Sequence, residues 1–210
     1  MVKDRNDNLL IIFVKNSIKG KVKTRLAADL GEEVALKIYQ KLTRNTLRAS
    51  ASVNAGILIQ FSEFIDHSTG FMGNRTSMSI QRGRDLGEKM LNAFLDGFDA
   101  GYGHICLIGT DCYGINPEIL TNAFNVLKNT DFVLGPANDG GYYLIGMNSP
   151  FNLVFRNKAW GSSSILENSL NDITGHGYSF TLIPELVDVD TAADLEELNI
   201  DLEKYLHNDT

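Results

Sequence analysis

Three aspartates, Asp111, Asp188 and Asp190, and a run of cations from Lys15 to Arg25 are the residues in this sequence whose types could do chemistry together. Asp111 follows the apolar run Ile105-Cys106-Leu107-Ile108 across Gly109 and Thr110, so a carboxylate stands at the C-terminal end of a predicted strand. A carboxylate there can hold a hard divalent cation, Mg²⁺ or Mn²⁺, that bridges phosphate oxygens. Taken alone, Thr-Asp in a loop reads first as a turn cap, and it is the partners elsewhere in the chain that favour the metal reading. Asp188 and Asp190 end a second strand-like stretch. Residues two apart on a strand share a side, so both can face one cation. Asp190 can also serve as the N-cap of the last predicted helix.

The cationic run Lys15-Asn16-Ser17-Ile18-Lys19-Gly20-Lys21-Val22-Lys23-Thr24-Arg25-Leu26 carries five positive charges around the single glycine Gly20. It follows the apolar strand Leu9 to Val14. Strand, glycine-containing basic loop and helix together form a recipe for cradling a di- or triphosphate, because backbone donors approach closely and cations neutralise the oxygens. No GxxxxGK[ST] is present, so the loop is not a P-loop. A solvated basic turn is the plain alternative.

Three further stretches could contact a ligand. Gln81 to Met90 contains Asp85 and Gly87; Asp85 with Glu88 has capping-box spacing, which accounts for it structurally, while the glycines would let backbone approach a nucleotide. Asp139-Gly140-Gly141 lies between apolar runs, where a ligand-contacting turn and a simple hairpin are rival readings. Ser162, Ser163 and Ser164 precede an apolar-periodic helix, which one serine is expected to cap and where a phosphate or carboxylate could bind.

The elements that must position these groups alternate between buried strands and amphipathic helices. Strands are predicted at 9–14, 54–61, 77–81, 105–108, 131–136 and 180–183, with 186–190 running into the last helix. Helices are predicted at 31–50, from Asp85 to Phe98, at 116–128, at 165–173 and from Thr191 to Leu202. The stretch 64–75 reads as an irregular connection. The 210 residues, with no repeat and no Pro- or Gly-dense linker, fit one α/β domain over the whole chain.

Composition narrows the function. A net charge of -7 argues against a nucleic-acid or membrane-surface binder, which needs a broad basic face. Cys106 and Cys112 make no disulfide framework, and a reducing cytoplasm fits them. Met1 to Asn8 is polar, and Leu9 to Val14 is too short to span a membrane or serve as a signal.

Taken together, the stretches resemble a known family. Lys15 to Leu26 resembles K-x-P-x-x-G-x-V-K-T-R-L, Gln81 to Met90 resembles Q-x-G-x-D-L-G-x-[RK]-M, Gly109 to Gly114 resembles G-T-D-C-P-G, and Leu134 to Gly146 resembles L-G-P-A-x-D-G-G-Y-Y-L-I-G. These are similar to the DUF2064 family, classed with glycosyltransferases of the GT-A fold. Ser17 and Tyr113 stand where the patterns have proline. The resemblance implies a three-layer α/β/α architecture with a mixed, mainly parallel sheet and a metal-dependent nucleotide site at the strand ends. By position it implies that Asp111, Asp188 and Asp190 bind metal and that Lys23 and Arg25 contact phosphate. Asp111, Lys23 and Arg25 are the expected catalytic set. Lys15, Gly20, Lys23, Thr24, Arg25, Gln81, Asp85, Gly87, Asp139, Gly140, Gly141, Ser162 and Ser163 are the expected nucleotide or substrate contacts. The basic loop and the closing D-x-D-T-x-x-D-L stretch also look like phospholactate guanylyltransferases.

The expected activity is transfer from a divalent-metal-bound nucleotide donor to a small-molecule acceptor, glycosyl transfer from a nucleotide-diphospho-sugar first. Nucleotidyl transfer from a nucleoside triphosphate to a phosphorylated or carboxylated acceptor is the alternative. A non-catalytic nucleotide-binding domain ranks below both. A serine hydrolase ranks lowest, since no GxSxG is present. Acceptor, nucleobase, sugar, general base and oligomeric state stay open at this point.

Overall fold

The all-apolar run Leu9 to Val14 has a simple cause: its two faces pack against different helices. Leu9, Ile11 and Phe13 enter one core cluster and Leu10, Ile12 and Val14 the other, which is what a strand buried on both sides of a helix-covered sheet requires. The computed structural model describes residues 7–70 and 75–207; residues 1–6, within the polar N-terminal stretch, 71–74, within the predicted irregular connection, and 208–210 lie outside them.

The elements in order are β1 (Asn8–Val14), α1 (Thr24–Leu30), α2 (Glu32–Ala51), β2 (Gly56–Phe61), β3 (Thr76–Ile80), α3 (Leu86–Asp99), β4 (His104–Ile108), α4 (Pro117–Leu127), β5 (Phe132–Pro136), β6 (Tyr142–Met147), α5 (Ile165–Gly175), β7 (Phe180–Leu182), α6 (Ala192–Glu197) and α7 (Leu202–His207). They build one seven-stranded sheet in the order β3-β2-β1-β4-β6-β5-β7. β6 runs antiparallel to its neighbours β4 and β5, and the other pairings are parallel. Residues of α2 and α4 cover one face and those of α3 and α5 the other, giving the three layers that the sequence implied. A third, smaller cluster joins α1, α2 and α6 through Leu26, Ile38, Leu42, Val189 and Leu195.

The chain order reverses beside β1, since β2 and β3 lie to one side of it and β4 to the other. Ligands of open α/β sheets bind outside the carboxyl ends of strands at such a switch point. Lys15 follows β1 and Asp111 follows β4, so both flank it.

Several local expectations are corrected. The basic loop ends at Lys23, and a helix missing from the sequence prediction, α1, begins at Thr24. Its N-cap is Lys23 in the left-handed region (φ 47°), with no Ser, Thr, Asp or Asn side chain to announce a start. The final predicted helix is two short ones, α6 and α7, separated where Asn199 turns left-handed (φ 50°). The N-cap of α6 is Thr191 rather than Asp190, and Asp194 Oδ2 accepts from the backbone N–H groups of both Asp190 and Thr191.

Candidate active site

A cleft of about 460 Å³ opens over the switch point. Among the sequence-predicted residues, Lys15, Gln81, Asp111, Asp139, Gly141, Ser162 and Asp188 line it. Gly20, Lys23, Thr24, Arg25, Asp85, Gly87, Gly140, Ser163 and Asp190 are not among its lining residues.

Asp111 and Asp188, far apart in sequence, meet because the extended segment around Asp188 docks antiparallel on the loop after β4. Tyr113 N–H donates to Val187 O (2.9 Å), Val189 N–H donates to Asp111 O (3.2 Å), and Cys112 forms a β-bridge with Asp188. Asn138, in the β5–β6 turn, fixes the same segment by accepting from Asp188 N–H at 3.0 Å.

Between the two carboxylates sits one ammonium. Lys23 Nζ lies 2.6 Å from Asp111 Oδ1 and 3.1 Å from Asp188 Oδ1. Its side chain is only 5% exposed, against 46% for Asp111 and 28% for Asp188. Burial works against the Lys23 charge, but the two carboxylates outweigh it and hold its pKa above that of ordinary lysine. Burial pushes the Asp188 carboxyl up to about 6, with Asp111 and Asp139 adding to the rise and Lys23 opposing it. Asp111 has the shorter contact with the ammonium.

Asp190 does not join this pair. Its carboxylate accepts from Arg25 Nη1 at 3.1 Å, on the exposed side. Among the described residues no group of three or more His, Cys, Asp and Glu stands ready to hold a metal. Two cleft-lining carboxylates of hard oxygen donors do fit a cation whose remaining ligands are waters and substrate phosphates, the usual way Mg²⁺ is held.

The basic loop is largely engaged with the protein itself. Lys19 pairs with Glu33 (2.9 Å), Lys21 with Glu63 (3.6 Å), Lys23 with Asp111 and Asp188, and Arg25 with Asp190. Lys15, which lines the cleft, has no ion-pair partner among the described residues. Its backbone is fixed by Tyr39, whose buried hydroxyl accepts from Lys15 N–H (2.9 Å), donates to Lys15 O (2.8 Å) and lies 3.2 Å from Thr110 Oγ1. Tyr39 thus ties the ends of β1 and β4 together beneath the cleft. Burial, with Asp111 adding, raises its pKa, so the phenol stays a neutral donor.

The β5–β6 turn resolves the two readings of Asp139-Gly140-Gly141: it is a hairpin connection, and it also lines the cleft. Asp139 Oδ1 accepts from Gly141 N–H at 2.8 Å. Gly140 has φ 85°, and a Cβ built on it would stand 2.1 Å from Ser163 O. That close approach lets Gly140 O accept from Leu166 N–H at 3.0 Å. The expected serine cap of α5 is therefore corrected: Ser164, the N-cap, makes no side-chain cap bond, and a backbone carbonyl serves a first-turn donor. The serine hydroxyls bond each other instead, Ser162 Oγ to Ser164 Oγ at 3.0 Å. Asp85 caps α3 by accepting from Glu88 N–H at 2.8 Å, while Glu88 reaches back one residue further than a capping box, to Arg84 N–H at 2.9 Å. Gly87 is needed for packing, because a Cβ there would meet Phe155 O at 2.2 Å.

The sequence reading missed Lys89, Trp160, Tyr142 and Ser62, which also line the cleft. Lys89 lay in the Gln81 to Met90 motif and Trp160 is the single tryptophan, directly before the glycine-serine run, so both carried a signal. Ser62 is held by Asn16, a buried side chain whose Oδ1 accepts from Ser62 Oγ, Glu63 N–H and Phe64 N–H.

A mixed, mainly parallel sheet with an acidic cleft at its switch point has the fold of the nucleotide-diphospho-sugar transferases. A protein from Desulfovibrio desulfuricans G20, described as a candidate nucleotide-diphospho-sugar transferase, superposes with a TM-score of 0.86 at 31% identity, over 92% of this chain and 86% of that one. The model of the family described as "uncharacterized protein conserved in bacteria" (DUF2064) matches residues 46–162. The chain belongs to the DUF2064 family. At the level of fold it is also similar to the inositol-1-phosphate CTP transferase of T. maritima (TM-score 0.58, 14% identity, 96% and 97% of the two chains). A further fold relative is Rv0371c of Mycobacterium tuberculosis H37Rv, solved as a complex with manganese (TM-score 0.53, 13% identity, 92% and 98% of the two chains). No curated protein matches the chain.

Proposed function

We propose that this protein is a transferase that takes a nucleotide-diphospho-sugar as donor and passes the sugar to a small-molecule acceptor. The observation that carries the reading is the meeting of Asp111, from the loop after β4, and Asp188, from the segment after β7, in a cleft at the switch point. These two carboxylates would hold Mg²⁺ or Mn²⁺ together with the donor's phosphates; the cation supplies charge neutralisation on the departing nucleoside diphosphate. The manganese complex of Rv0371c and the likeness to the Desulfovibrio protein support a metal and a nucleotide-sugar respectively.

The chain's own residues supply the rest. Lys15 brings an ammonium without an ion-pair partner among the described residues to the cleft, where it would meet the donor's phosphates, and Tyr39 fixes its backbone. Asp139 and Gly141 shape the opposite lip. Trp160, Tyr142 and Met90 give the cleft an apolar wall that limits water, the acceptor that would otherwise waste the donor.

Glycosyl transfer is placed ahead of nucleotidyl transfer because four of the five cations of the basic loop already face carboxylates, which leaves few to neutralise a departing pyrophosphate. The test is product analysis with isotope-labelled nucleotide sugars and nucleoside triphosphates, Mg²⁺ or Mn²⁺ being present. Release of nucleoside diphosphate from a nucleotide sugar, by hydrolysis or transfer, is expected. Pyrophosphate release from a triphosphate would establish nucleotidyl transfer instead, and turnover of neither donor class would reject both.

A further inference from the structure

The position of Lys23 is at odds with a phosphate contact and points to a different task. Its ammonium engages Oδ1 of both Asp111 and Asp188, and its side chain is 5% exposed. The two carboxylates line the cleft and Lys23 does not, so the ammonium stands behind them. The arrangement is held against a backbone preference: Lys23 is one of three non-glycine residues with positive φ among those described, and its φ of 47° begins α1 without a side-chain cap. A non-glycine residue in that region persists only where its surroundings over-determine it. Here the surroundings are the two carboxylates.

We infer that Lys23 is a resident counter-ion that keeps the empty site from taking a divalent cation by itself, so that metal enters together with the phosphate groups of the donor. This rests on the proposed reading of Asp111 and Asp188 as metal-holding groups. Two carboxylates with no internal cation would attract Mg²⁺ or Mn²⁺ strongly and indiscriminately. One ammonium in hydrogen-bonding contact with both removes much of that attraction and repels a second cation placed on their cleft-facing side. Phosphate oxygens restore the balance, since they bring negative charge and complete the ligand set. Lys23 is on this view a positioning residue that acts through Asp111 and Asp188. It sets the order of loading and touches no reacting atom.

The experiment measures Mn²⁺ binding by calorimetry and by electron paramagnetic resonance, with and without pyrophosphate as a base-independent probe. It compares the wild-type chain with Lys23→Gln, whose amide still donates hydrogen bonds but carries no charge. Mn²⁺ alone is expected to bind the variant at least about tenfold more tightly than the wild type, within the usual range of coupling between two bound groups. With pyrophosphate present that advantage is expected to vanish. Equal or weaker binding of Mn²⁺ alone by Lys23→Gln, while the wild type takes Mn²⁺ with pyrophosphate, would overturn the inference and leave the metal reading intact. Absence of Mn²⁺ binding to either protein under both conditions would overturn both. If Lys23→Gln unfolds in metal-free buffer, Mn²⁺ is titrated into it under circular dichroism: recovery of the fold supports the counter-ion role, and failure to recover overturns it.

Discussion

Gly140 offers a measurement in which steric crowding can be separated from backbone preference. Gly140 and Gly161 have nearly the same left-handed dihedral, φ 85° and 87°, but a Cβ on Gly161 would meet nothing within 4 Å, whereas one on Gly140 would lie 2.1 Å from Ser163 O. Alanine at either position carries the left-handed penalty of about 1–2 kcal/mol. At Gly140 the β5–β6 turn must also withdraw from the 162–166 segment, which breaks the Leu166 N–H to Gly140 O bond that serves the start of α5. A lost bond with its donor left buried adds about 1–3 kcal/mol. Gly140→Ala should therefore cost about 2–5 kcal/mol and Gly161→Ala only about 1–2 kcal/mol. Urea denaturation followed by far-UV circular dichroism gives both values. Trp160, the single tryptophan, stands beside the affected segment and reports in parallel whether the loss is local. Equal destabilisation by the two substitutions, or a milder effect at Gly140, would refute the argument that the turn and the α5 start are locked by close approach.

Asp111→Asn should lower kcat/KM for the donor by at least about a hundredfold, the usual scale for one electrostatic group at a reacting phosphate, while Asp190→Asn, which loses only the exposed Arg25 pair, should leave it within about threefold; steady-state kinetics with Mn²⁺ distinguishes them. Tyr39→Phe removes a buried hydroxyl shared by Lys15 and Thr110 and should cost about 1–3 kcal/mol in urea denaturation, and should raise donor KM more than it lowers kcat because Lys15 is the group released. Asp131 accepts from Ser179 N–H (2.8 Å) and Ser179 Oγ (2.6 Å), and those bonds hold its carboxyl below the usual range. A depressed folded pKa stabilises above the ordinary carboxylate value and is lost as pH falls through the folded one, so the stability advantage of the wild type over Asp131→Asn should be present at pH 6 and should shrink as pH falls below the ordinary carboxylate range. Thermal melts across that range read it, and a pH-independent difference would count against the assignment.

What the sequence made legible was the frame. Runs such as Leu9 to Val14 and Ile105 to Ile108 have no polar face, and a strand without one must be covered on both sides, which is enough to imply helices above and below a largely parallel sheet. It also placed Asp111, because a carboxylate three residues past such a run has nowhere to go but the strand end. Charge pairing was not legible. Five cations in eleven residues suggested a phosphate cradle, but Lys19, Lys21 and Arg25 find Glu33, Glu63 and Asp190, partners that only tertiary packing supplies. Asp190 was grouped with Asp188 by strand alternation, and alternation does not apply to an extended segment held by a few bridges rather than by a full ladder. The start of α1 escaped for a related reason: ion pairs made far away in sequence hold Lys23 in a conformation that no local rule assigns to lysine.

The docking of residues 186–189 on the loop after β4 also fixes when the acidic pair can exist. All seven strands of the sheet are synthesised before Asp188, so a nascent chain has completed its scaffold while Asp111 still lacks its partner. A proteolytic cut just upstream of Leu186 would leave Asp188 joined to all seven strands only by non-covalent contacts. Completion of the sheet and closure of the acidic pair are thus separate events.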